Sequence, residues 1–290
     1  MAYTIKITYT FILTTMIEPI FTCNETQKHF DTFGFAKINL LNDEQIESLL
    51  NTYNKYFLNK ELKHFTSTNF IPQKTERFSI SNEILATIAP SINDNLSNIK
   101  LWNAAFLIKP VGNDTEFKLH QDWTFVDEEN FYSGNIWMPL HDTNEKNGTL
   151  YLIPKSHYKQ INTFRAQTIH ELFFEKEEIL KPYCVPLNIK KGEALIFQHS
   201  IIHYSSANRS NSNRIAVVCG FNSSKATLKT YFRINETEAE EYIMPDNFVF
   251  DFEDGQSLNN KPNGTFIKKI TIPHQTYINS QEDLISHFIK

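Results

Sequence analysis

The sequence predicts a mainly β fold, a double-sheet jelly roll with flanking α-helices. Three observations carry this. From residue 100 onward, short apolar runs alternate with turn-like clusters, the pattern of an all-β sandwich or barrel. The 290 residues include 24 Phe and 12 Tyr, and aromatic side chains favour the pleated, half-buried surface of a strand. The one strongly amphipathic helical segment lies before residue 100.

Taken in order, residues 7–15 form a short Thr-rich apolar run after Lys6, too short to span a bilayer and without a small-x-small cleavage site. Residues 1–15 are therefore expected to be an upstream extension, with the natural start at Met16 and one domain over 16–290. Residues 35–41 read as a strand. Asn42 then stands as an N-cap with Gln45 three residues on, a capping box. Ile46, Leu49, Leu50 and Tyr53 follow at i, i+3, i+4 and i+7, one face of a helix. A second helix is expected over 82–97. Strands are expected at 100–109, 117–122, 134–141, 149–153, 184–189, 193–198, 214–221, 226–233, 246–251 and 265–272. A helix over 167–179 interrupts them, and another closes the chain at 281–288.

Composition narrows the partners. Hydrophobic residues are 41% and charged residues 21%, ordinary globular usage and incompatible with a disordered chain. A net charge of −5 and no basic stripe argue against nucleic acid. No apolar window reaches membrane length, so a cytoplasmic protein acting on a small molecule is expected. Cys23, Cys184 and Cys219 are far apart and odd in number, which suits reduced, buried thiols better than a disulfide framework. Glu236, Glu238, Glu240 and Glu241 read as a solvated charged face.

Three places carry chemistry. In His120-Gln121-Asp122, residues i and i+2 of a strand share a face, so an imidazole and a carboxylate converge. His203 lies 81 residues beyond Asp122 in another apolar run. Two His and one carboxylate with open positions make the facial triad typical of non-haem Fe(II) oxygenases. Arg214 lies 11 residues after His203, across the turn-forming stretch 207–213. A hairpin there brings its guanidinium fork, suited to a carboxylate, back beside His203. Taken alone, His120 with Asp122 reads more readily as a hydrogen-bonded pair at a strand end. For Arg214 the alternative is a surface ion pair, which its spacing disfavours. Their joint spacing with His203 favours a metal centre. His199 is four residues before His203, as in helical zinc motifs, but its surroundings read as strand and it is taken as a turn residue. His141 and His157 read as structural or solvated.

In these residues the sequence resembles the phytanoyl-CoA dioxygenase family. The resemblance rests on His-x-Asp, a distal His followed two residues later by Ser, the Arg 11 residues on, and the stretch Asn147-Gly148-Thr149-Leu150 leading to Pro154-Lys155-Ser156-His157. Trp137, ten residues before Asn147, adds to it. It spans roughly residues 30–250. It implies a double-stranded β-helix with the N-terminal helices packed on the major sheet, and Fe(II) held by His120, Asp122 and His203. It also implies 2-oxoglutarate and dioxygen as co-substrates. The distal carboxylate of 2-oxoglutarate would pair with Arg214, helped by Ser205, with Asn103 and Trp137 nearby. Retention of Asp122, where related halogenases carry Gly or Ala, implies hydroxylation rather than halogenation.

Trp123 and Phe125 are candidate substrate contacts, equally readable as core, and Gln121 faces away from the metal if its segment is extended. Loops 111–119, 124–133 and 155–182 are where substrate contacts are expected. The leading reading is hydroxylation of a free small metabolite, such as an amino acid or a natural-product-like compound. Two others stand beside it: the same chemistry on a coenzyme A or carrier-protein thioester, and a non-catalytic jelly-roll binding module. A metal hydrolase on the same ligands is disfavoured by Arg214, since hydrolysis needs no keto acid.

Overall fold

The computed structural model describes residues 17–159, 164–251, 260–272 and 280–289. The expected extension over 1–15 and the start at Met16 lie outside them. The elements are α1 (Asn24–Phe33), β1 (Phe35–Asn39), α2 (Asp43–Phe57), β2 (Thr66–Ser67), α3 (Lys74–Asn95), β3 (Ile99–Lys109), β4 (Phe117–His120), β5 (Ser133–Pro139) and β6 (Leu150–Leu152). They continue with α4 (Glu177–Leu180), β7 (Val185–Leu187), β8 (Glu193–Gln198), β9 (His203–Ser205), β10 (Arg214–Ser223), β11 (Lys229–Arg233), β12 (Glu238–Ile243), β13 (Thr265–Thr271) and α5 (Gln281–Phe288).

Two antiparallel sheets make the mainly β, jelly-roll-type body. The major sheet runs β1-β8-β5-β10-β3-β2 and the minor sheet β4-β9-β6-β7. Alternation along β10 shows how the major sheet serves two cores. Ile215, Val217, Cys219 and Phe221 face a core shared with α1, α2 and α3, including Phe30, Leu49, Ile84 and Ile88. Ala216, on the other face, joins Trp137, Leu150, Leu152 and Phe197 between the sheets. The N-terminal helices thus pack on the outer face of the major sheet, as expected.

The α2 capping box is present: the Asn42 side chain accepts from Gln45 N, and the Gln45 side chain accepts from Asn42 N. Gly34 ends α1 at φ 83°, and a Cβ there would lie 2.5 Å from His157 Nδ1, so glycine is required twice over.

Four expectations need correction. The helix over 167–179 does not form; only α4 is helical there. Ala166 and Ile169 bury against one cluster while Phe173 and Leu180 bury in another, and one continuous helical face cannot serve both. Residues 248–251 form a 3-10 turn rather than a strand. The strand is β12, and Glu240 and Glu241 on it are buried rather than solvated. Glu241 pairs with Lys229 at 2.7 Å and lies 3.6 Å from Lys268, while Glu240 pairs with Lys261 at 2.6 Å. Cross-strand lysines compensate the acidic run, which made it unreadable as a strand. The cysteines are free, yet only Cys219 is buried and Cys23 is exposed. The third sheet, β11-β12-β13, is separate from the two sheets of the jelly roll.

Candidate active site

The minor sheet brings the two histidines together. On β4 and β9, His120 and His203 are direct cross-strand partners, their ring centroids 4.2 Å apart. Strand β4 ends at His120, and Asp122 follows in irregular chain. Asp122 Oδ1 lies 3.6 Å from His120 Nε2, and Oδ2 lies 3.8 Å from His203 Nε2. These separations are too long for hydrogen bonds. All three donor atoms fall within 4.8 Å of one another, a grouping that can hold a metal ion.

The ring orientations fit that use. His120 Nδ1 faces the Lys118 carbonyl at 2.8 Å, and His203 Nδ1 faces the Ile201 carbonyl at 3.0 Å. A carbonyl can only accept, so each Nδ1 carries the proton and each Nε2 keeps its lone pair for a metal. Burial disfavours charge on Asp122, but His203 and His120 outweigh it and hold the carboxyl well below the usual range. Burial likewise opposes charge on His120, yet Asp122 lifts that imidazole above its ordinary value. Burial, then the charge of His120, pushes His203 down to about 4.

The other end of the cavity is basic. Arg214 opens β10 and is the direct partner of Lys109, the last residue of β3. Both are fully buried. The guanidinium lies over the Trp137 ring, 5.5 Å from its centroid, and among the described residues its one direct bond is a long one, 3.5 Å, to the Leu107 carbonyl. Arg214 Nε and Trp137 Nε1 are buried donors without an acceptor among the described residues. Lys109 Nζ reaches three oxygens: Ser205 Oγ at 2.6 Å, Ser206 O at 2.6 Å and Ser205 O at 3.0 Å. Burial, aided by the charge of Arg214, pushes Lys109 down to about 6, and burial pushes Arg214 down to about 9. No carboxylate forms a salt bridge with either cation among the described residues. Buried donors of this kind call for an anionic acceptor.

A cavity of about 720 Å³ joins the two ends. All ten residues singled out from the sequence line it: His120, Gln121, Asp122, Trp123, Phe125, Asn103, Trp137, His203, Ser205 and Arg214. Not all are equally available. Gln121 donates its amide to the Ser200 carbonyl, and Asn103 donates to Asn69 Oδ1 at 3.0 Å. The Ser205 hydroxyl already accepts from Lys109.

Sequence reasoning missed several residues. Lys109 escaped notice, although a lysine ending an apolar strand just before Pro110 is an available signal. Asn135 donates to Asp122 Oδ2 at 2.9 Å, from a strand that reads only as core. His199 occupies a turn, as expected, but is buried, lines the cavity and packs edge-on against Phe125. Burial pushes its pKa down to about 4. Phe65 to Pro72 also contributes wall residues, from a stretch outside the loops expected to do so.

The family model described as "Phytanoyl-CoA dioxygenase (PhyH)" matches residues 30–216. Phytanoyl-CoA dioxygenase domain-containing protein 1 of Danio rerio is 26% identical over 140 residues, covering 44% of this chain and 48% of that protein. Its homolog in Dictyostelium discoideum is 27% identical over 161 residues, covering 51% and 54%. The chain thus spans about half the length of these curated relatives. Among solved structures, the epimerase SnoN in complex with Fe3+, alpha ketoglutarate and nogalamycin RO superposes with a TM-score of 0.52 at 14% identity, covering 84% of this chain and 94% of that one. EvdO2 from Micromonospora carbonacea var. aurantiaca gives 0.50 at 15% identity, covering 72% and 94%. At such identities the superpositions speak for the fold.

Proposed function

Because the chain belongs to the phytanoyl-CoA dioxygenase family, we propose that it is an Fe(II)- and 2-oxoglutarate-dependent dioxygenase that hydroxylates an unactivated C–H bond of a small metabolite. The observation that carries this reading is the pairing, in one cavity, of a His-Asp-His cluster with the buried guanidinium of Arg214, which forms no salt bridge with a carboxylate among the described residues. His120, Asp122 and His203 would hold the iron. Arg214 would take the distal carboxylate of 2-oxoglutarate, with the Ser205 hydroxyl beside it and the charge of Lys109 behind that hydroxyl. When bound, iron with 2-oxoglutarate and dioxygen supplies the chemistry: the keto acid is oxidised to succinate and CO2, and one oxygen atom enters the C–H bond.

The chain's own work is orientation and enclosure. The Lys118 and Ile201 carbonyls fix the imidazole tautomers, and Asn135 fixes one carboxylate oxygen. Trp137 backs the Arg214 guanidinium with its ring face. Phe125, Leu150, Phe197 and Val218 wall the cavity with apolar surface that keeps water from the reacting centre. Among the described residues Arg214 is the only Lys or Arg lining it, which supports a free metabolite over a substrate carrying coenzyme A phosphates.

The test is an anaerobic titration of the apo protein with Fe(II) and then 2-oxoglutarate, following the visible charge-transfer band of a keto acid chelated to iron. The band is expected in wild type, absent in Asp122→Ala and His203→Ala, and displaced to at least tenfold higher 2-oxoglutarate in Arg214→Ala. Iron binding without a band in wild type would overturn the co-substrate and favour a hydrolase. Failure to bind iron would favour the binding module.

A further inference from the structure

We propose that Arg165 is a positioning residue for the metal centre, acting through the backbone of Asp122. This rests on the reading of Asp122 as an iron ligand. The need for such a residue follows from where β4 stops. His120 is held by its cross-strand pairing with His203, but residues 121–125 belong to no strand. A ligand on irregular chain has no ladder to fix its backbone, and a ligand that wanders weakens the site.

Arg165 supplies what the ladder does not. Its Nε donates to the Asp122 carbonyl at 2.7 Å. Two residues on, Thr124 N donates to the Arg165 carbonyl at 2.9 Å, and Arg165 N donates to Thr124 Oγ1 at 3.1 Å. One residue thereby grips both ends of the 122–124 segment, by side chain and by main chain. Asp122 is held from two further directions, its N–H by the His199 carbonyl at 2.9 Å and its Oδ2 by Asn135. Together these fix where the carboxylate starts and which way it turns.

The guanidinium is itself immobilised. Arg165 is 1% exposed, and its outer nitrogen pairs with Glu128 at 2.7 Å. Burying a cation this completely is costly unless each donor has work to do. Arginine suits the place because its planar fork spans a carbonyl and a carboxylate at fixed spacing, which a lysine ammonium does not reproduce. The clamp lies outside every motif of the chain, since its target is a main-chain oxygen.

The experiment uses Co(II) as the metal probe, with its visible d–d spectrum, on the full-length protein. Wild type, Arg165→Gln, Arg165→Lys, Glu128→Gln and Asp122→Ala are compared for Co(II) affinity, spectrum and Tm. Arg165→Gln is expected to weaken Co(II) binding ten- to hundredfold and to alter the d–d bands. Arg165→Lys, which keeps a donor for the Asp122 carbonyl, is expected to recover part of the affinity. A folded Arg165→Gln with lowered Tm but wild-type affinity and spectrum would overturn the clamp and leave a purely structural arginine. Should Arg165→Gln not fold, Glu128→Gln decides: it keeps Arg165 and removes the negative charge that anchors its outer nitrogen, so weakened Co(II) binding supports the clamp and unchanged binding overturns it. Wild-type protein that binds no Co(II), or Asp122→Ala that binds it as tightly, would instead sink the metal-centre reading and the clamp with it.

Discussion

Lys109 and Arg214 sit side by side in a space from which water is largely excluded, and this makes the basic end of the cavity pH-sensitive. Lys109 falls from its usual 10.5 to about 6, through burial first and the charge of Arg214 second. Between these values the folded chain binds fewer protons at Lys109 than the unfolded chain. The contribution of this residue to stability therefore rises with pH across that window and is least favourable below about 6. An arriving carboxylate reverses the balance by favouring the ammonium, whose three hydrogens match the three oxygens around Nζ. Binding of 2-oxoglutarate above pH 6 is thus expected to take up a proton, with affinity falling by up to about tenfold per pH unit as pH rises. Calorimetry in buffers of different ionisation enthalpy reads this directly; a Kd flat from pH 6.5 to 8.5, with no buffer dependence, would refute it. Such a residue is hard to read in a sequence because its meaning lies in register. His120, Asp122, His203 and Arg214 announce themselves by spacing, whereas Lys109 matters because it pairs across the strand with Arg214. Arg165 is harder still, since hydrogen bonding to a backbone carbonyl leaves no pattern in the partner's side chain.

Elements whose instructions are local were legible, and those set by distant packing were not. The α2 capping box is written in four residues and appears as written. Asn42→Ala is expected to cost about 1 kcal/mol, lowering Tm by roughly 2–4 °C. Because α2 packs on the outer face of the major sheet, Co(II) affinity should not change; a loss of affinity would mean that this face and the cavity are coupled. The longer α3 was half legible. Its start at Lys74, well before the expected residue 82, depends on Arg77, buried with its guanidinium donating to the Ile71 and Phe250 carbonyls. Phe250 is 173 residues away, beyond any local window. Residues 167–179 carry apolar side chains enough for a helix, but they are shared between two clusters on either side of the segment. Strand β12 was hidden in the opposite way. Glu241 looks solvated until Lys229 of β11 and Lys268 of β13 close over it.

At the scale of the molecule, the family model ends at residue 216, while β11-β12-β13 lies wholly after it. This sheet nonetheless reaches the candidate active site through the loop that carries Arg165. Ala166 and Ile169 exchange backbone hydrogen bonds at 3.0 and 3.1 Å, forming a small closed turn just after the arginine. That turn packs on Tyr231, Ala239 and Ile272 of the third sheet and its border, and Arg233 N donates to Thr168 Oγ1 at 2.9 Å. Phe164, on the other side of Arg165, lies 4.7 Å from the Tyr231 ring. One buried aromatic therefore supports both neighbours of the residue that grips Asp122. Tyr231→Ala removes that support and leaves a cavity, at a cost of about 3–5 kcal/mol by analogy with other buried aromatics. If the third sheet serves only its own stability, the loss will stop there. If it braces Arg165, the folded variant will also bind Co(II) more weakly, and amide exchange will quicken at 122–125 and 164–169 together. Unchanged exchange at 122–125 in a destabilised but folded variant would show that the strain ends at the loop and does not reach the His-Asp-His cluster.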